Sequence, residues 1–81
     1  MRAKYAGSMF AIRRAERYEG SVDWKVHCVY KGFEIMRAYH KDNGGACALY
    51  CFTTEQGITY VSENLSGIKK EATDYRRVWS Q

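Results

Sequence analysis

The feature that most constrains this chain is the strict alternation from Val22 to Tyr30. Val22, Trp24, Val26, Cys28 and Tyr30 occupy the even positions, and Asp23, Lys25, His27 and Val29 the odd ones. A period of two over nine residues predicts a β-strand with one face on a core. Lys31-Gly32 follows and suits a tight turn, so residues 22–41 read as a β-hairpin. A two-residue turn pairs Tyr30 with Phe33, Cys28 with Ile35 and Trp24 with Tyr39, which keeps aromatic and aliphatic partners together. Slipping by one sets Cys28 against Glu34 and Val26 against Met36 and mixes the faces, so the first register is preferred. It leaves Arg37 beside Val26 on the apolar face.

Asp42-Asn43-Gly44-Gly45 is a loop signal. Residues 46–63 read as a second hairpin, with Glu55-Gln56-Gly57 as a three-residue loop whose glycine takes the left-handed position. Asn64 is a good N-cap for a helix over 64–79. On a wheel of 100° per residue, Leu65, Ile68, Ala72, Tyr75 and Trp79 fall within about 80°, a stripe that docks the helix on the sheet. Residues 8–18 are two-sided. Their Ala, Met, Arg and Glu content favours a helix; Phe10, Ile12 and the Glu19-Gly20 turn favour a strand hairpinned to Val22, and the strand is preferred. The expected fold class is α+β: an antiparallel meander of four to five strands with one C-terminal α-helix packed on the sheet.

With 81 residues the chain is expected to be a single domain, 1–81. A core this thin leaves little room for a substrate cavity. No stretch approaches the roughly 18 apolar residues of a membrane span. The apolar stretch 5–12 runs straight into Arg13-Arg14 without a small-residue cleavage site, so no secretory signal is read. Three cysteines, an odd number, suit reduced thiols and a cytoplasmic setting.

The candidate chemistry is sparse. His27, Cys28, His40, Cys47 and Cys51 include zinc-ligand types. On a strand, however, Cys47 and Cys51 stand roughly 13 Å apart. His27 and Cys28 point to opposite faces. No metal or cofactor is expected. Cys28 on an apolar face is an inert thiol. His40 lies across from Asp23 as a solvated pair, with no nucleophile to complete a triad. Gly44-Gly45 lacks the spacing of a phosphate loop. No catalytic residue and no small-molecule substrate are expected.

Surface chemistry remains. Both faces of 46–63 carry apolar or aromatic residues, and one helix cannot cover both. An open sheet face with Tyr50, Phe52 and Tyr60 is therefore the expected docking site for a protein partner or a second copy. The alternative, that 8–18 is a helix and covers this face, stays open. The function expected first is a non-catalytic accessory domain, an adaptor, inhibitor or self-associating unit, of a size that suits a phage or mobile element. The second is a largely electrostatic RNA- or DNA-binding domain, consistent with the net charge of +4. Its phosphate contacts would be Lys69, Lys70, Arg76 and Arg77, which share about 120° of the helix away from Glu71 and Asp74. Arg13, Arg14 and Arg17 form a second basic group.

Overall fold

A computed structural model describes residues 4–79. Two helices and a five-stranded sheet form, in the order β1 (Lys4–Gly7), α1 (Met9–Tyr18), β2 (Val22–Tyr30), β3 (Phe33–His40), β4 (Ala46–Thr53), β5 (Ile58–Ser62) and α2 (Leu65–Trp79). The expected hairpins and C-terminal helix are present. The pure antiparallel meander is not. β1 adds parallel to β5, giving a mixed sheet of order β1-β5-β4-β3-β2.

The segment 8–18, expected as a strand, is the helix α1. Ala11 and Ala15, four apart, form its fully buried stripe. Small side chains at that spacing let a helix lie close on a sheet; Tyr18, at i+7 from Ala11, joins them on the same helical face, whereas a strand would have turned it to the other side. α1 carries the chain from β1 at one edge of the sheet to β2 at the other. Gly7 makes the entry feasible: its φ is +113°, and a Cβ there would strike the Val61 backbone.

The β2–β3 hairpin uses both registers. Near the turn Tyr30 pairs with Phe33 and Cys28 with Ile35. A β-bulge at His27 then slips the ladder by one, so that Val26 pairs with Met36, Lys25 with Arg37 and Trp24 with Ala38, not Tyr39. A bulge swaps the faces of the residues on either side of it. Val22 and Trp24 therefore join the core under α1, while Cys28 and Tyr30 join the core under α2. It also resolves the position of Arg37, which lies 5.3 Å from the Tyr50 ring centroid and not beside Val26.

Each face of the sheet thus has its own helix. Under α1 lie Cys47, Leu49, Cys51 and Val61; under α2 lie Phe33, Ile35, Tyr50 and Phe52, packed by Ile68, Ala72 and Tyr75. Leu65 of the expected stripe packs at the margin, and the Trp79 side chain lies outside the described residues. Asn64 caps α2: its Oδ1 accepts from the Gly67 amide at 2.6 Å. Gly67, a poor helix former, sits there because a Cβ would collide with Ser62 and Asn64. Gly57 closes the β4–β5 loop at a φ of +86°.

Candidate functional site

The residues expected to form an open docking face are part of the interior. Phe52 is fully buried, Tyr50 nearly so, and Tyr60 half-buried. Phe52 stacks on Tyr60 at 5.3 Å and against Phe33 at 4.4 Å, and Tyr75 of α2 closes over Phe33 edge-on. Aromatic pairs in these arrangements hold a core beyond their area burial. The premise of one helix for two faces is corrected by α1: each apolar face of β4 has a helix on it.

The four α2 cations do not share one open face. The Arg76 guanidinium stacks 3.9 Å from the Phe33 ring centroid. Its Nε donates to the Lys31 carbonyl at 2.9 Å and its Nη1 approaches Glu55 at 3.4 Å. Arg76 is a clamp between α2 and the β2–β3 turn. Arg77, expected to point away from Asp74, approaches it at 3.7 Å. Lys70 is exposed, and Lys69 lies 5.2 Å from the Tyr30 ring centroid. Lys31 reaches the same ring at 5.8 Å. Lys31 had no place among the sequence candidates, although it occupies a turn position that favours Asn or Gly. Its φ is +53°.

The Arg13, Arg14 and Arg17 group lies on the solvent side of α1. Arg14 leans on Glu63 at 3.4 Å, but among the described residues no carboxylate pairs with Arg13 or Arg17. Beside them Phe10 is 73% and Met9 67% exposed. On a helical wheel Met9, Arg13, Arg17 and Phe10 fall within about 100°, opposite Ala11 and Ala15. Glu16 borders this arc on the Met9 side. The helix is what assembles the patch: on a strand Met9, Arg13 and Arg17 would face one side and Phe10 the other. The i, i+4, i+7 spacing of Ala11, Ala15 and Tyr18 is the sequence signal for it.

α1 also leaves part of its own sheet face bare. The row Tyr5, Thr59 and Thr53, set by the β1–β5 and β4–β5 pairings, lies beyond the start of the helix. With Trp24, Met36 and Cys51 these residues line a hollow of about 230 Å³. A second hollow, of about 450 Å³, continues it through Met36 and Thr53 to Glu34 and Glu55. Together they make one open trough whose charged lining, among the described residues, is two glutamates. Val26, paired with Met36 and 53% exposed, stands at its margin.

The thiols offer little reactivity. His40 lies across from Val22, and Asp23 from Tyr39, so the expected Asp23–His40 pair does not form. His40 Nε2 instead meets Cys47 Sγ at 3.2 Å. Burial pushes the Cys47 thiol pKa up, against the pull of Arg14 and Arg37. Burial also drives Cys51 up to about 12. Thiols kept protonated are poor nucleophiles and poor metal ligands. Cys28 is half-buried beside α2, away from Trp24 and Val26. Among the described residues no three His, Cys, Asp or Glu side chains converge as a metal site. No helix is long and apolar enough to cross a membrane.

Comparisons with protein-family profiles, with curated proteins and with solved structures find no match.

Proposed function

We propose that this chain is a non-catalytic protein-binding domain that engages its partner through the outer face of α1. The carrying observation is the patch of Met9 and Phe10, both largely in water, flanked by Arg13 and Arg17. Two large apolar side chains on a helix whose other face is already docked add nothing to the fold. An aromatic anchor ringed by arginines is a common composition of binding hot spots. The arginines favour a partner surface that combines carboxylates with an apolar hollow.

A photo-crosslinking residue in place of Phe10 tests this in cells. A discrete adduct that Arg13→Glu/Arg17→Glu abolishes supports the reading. Adducts only from control positions on α2 would move the binding face elsewhere.

A second reading, nucleic-acid binding, is favoured by Lys31 and Lys69. Two ammonium groups converge on Tyr30, and among the described residues neither has a carboxylate in ion-pairing range. Titrating labelled RNA and DNA at several salt concentrations tests it. Lys31→Ala/Lys69→Ala should reduce the slope of log affinity against log salt by about 2. An unchanged slope removes those residues from the interface.

A further inference from the structure

Two open patches among the described residues are complementary to each other. The outer arc of α1 carries Phe10 and Met9 with Arg13 and Arg17, and the hollows against it are lined by three arginines and no carboxylate. The trough is lined by Trp24, Met36 and Tyr5 with Glu34 and Glu55, and among the described residues its lining holds no cation, Arg76 lying outside it on the far side of Glu55. Apolar area therefore faces apolar area, and opposite charges rim the two surfaces.

Their placement matters as much as their chemistry. Both lie on the same side of the sheet, because Trp24, Met36 and Tyr5 border the core that α1 covers. α1 is a step about 10 Å high, and the trough is the lower ground beside it. A surface with a step and an adjoining recess fits a copy of itself turned by a two-fold axis: each helix fills the other's recess. Such an isologous contact closes at two copies, whereas a patch and trough on opposite sides would build an open chain of subunits.

We infer that two copies of this chain form a symmetric dimer, α1 of each lying in the trough of the other between two facing sheets. The inference rests on the protein-binding reading of α1 and names its partner as a second copy. Phe10 is the anchor that enters the hollow beside Met36 and Trp24. Arg13 and Arg17 sit toward Glu34 and the trough rim. Glu55 is already engaged by Arg76, so Glu34 is the charge most available to the incoming helix. The two helices together roof both sheets, which covers Val26 and the half-open side of Trp24.

The test is sedimentation equilibrium of the full chain from micromolar to millimolar, with reductant present to keep the three free thiols from cross-linking. A monomer–dimer equilibrium is expected. Phe10→Asp should weaken it by about tenfold or more without changing the thermal melt at dilutions where the chain is monomeric, since the ring is not part of the core. Arg13→Glu and Glu34→Arg should each weaken it, and the two together should recover part of the loss. A swap that rescues is something a merely destabilised fold does not produce, and it decides the matter if Phe10→Asp proves unfolded. A dimer indifferent to Phe10→Asp and to both reversals lies on another surface, such as the β2 edge, and overturns the inference. A monomer throughout overturns it too, but leaves the protein-binding reading to the crosslink at position 10. A chain that neither dimerises nor crosslinks there fails both.

Discussion

The two faces of the sheet are built by opposite means. On one face the 15-residue α2 lies over Phe33, Ile35, Tyr50 and Phe52, sealed by ring-on-ring contacts and by the Arg76 clamp. On the other, the 10-residue α1 rests on alanines and covers only the part of the sheet that holds Leu49, Cys47 and Ala38. The first face is complete in itself. The second ends in a trough and turns its remaining apolar residues outward. The lengths of the two helices set this difference: the longer one covers its face, and the shorter one leaves part of its own bare.

That contrast can be broken by substitution, starting where the effect is largest. Phe52→Ala empties the centre of the aromatic layer and should cost about 3–5 kcal/mol in denaturant unfolding. A loss below about 1 kcal/mol would mean that α2 does not depend on that layer. Ala15→Leu should cost about 1–3 kcal/mol, because α1 has no room to stand off the sheet. If it stabilised the fold instead, α1 would be loosely seated. Asn64→Ala removes the α2 cap and should lower stability by about 1 kcal/mol.

The pH dependence sharpens the picture of the α1 side. The folded state holds the Cys51 thiol protonated to about 12, while an unfolded chain ionises it near the ordinary 9.0. A group whose folded pKa is raised contributes its stabilisation below the unfolded value and loses it as pH climbs through the folded one. Stability should therefore fall from about pH 9 upward, and Cys51→Val should flatten that limb; an unaltered limb would mean that Cys51 is open to water. Last, Phe10→Ala should change the stability of the dilute, monomeric chain by no more than about 0.5 kcal/mol. A larger loss would make the ring part of the fold and deprive the docking surface of its anchor.

Much of the architecture was legible where periodicity and turn chemistry agreed. The alternation around Lys31-Gly32, the glycine of the Glu55–Gly57 loop and the Asn64 cap are local signals. They act on the residues that carry them. What escaped were features set across the chain. The His27 bulge leaves the alternation intact in the sequence while reversing which face it serves. β1 is four residues long and takes its partner from β5, too short and too distant to announce itself. α1 hid behind Phe10 and Ile12, which suit a strand as well as a helix. The expected open face of Tyr50, Phe52 and Tyr60 is covered for that reason: with 8–18 as a strand, only one helix remains for two sheet faces. Arg76 looked like a surface cation because a helical wheel shows direction but not the hairpin turn that waits there.

The parallel pairing of β1 with β5 has a consequence for synthesis. Of the five described strands β1 is made first, yet the strand it pairs with, β5, is the last of them to emerge. Until then α1 has no complete floor, and its alanine stripe and its Phe10 side are both in water. The two hairpins, made of contacts between near neighbours, can assemble without waiting. Both faces therefore wait on late elements: the α1 side on β5, and the α2 side on α2, which follows it.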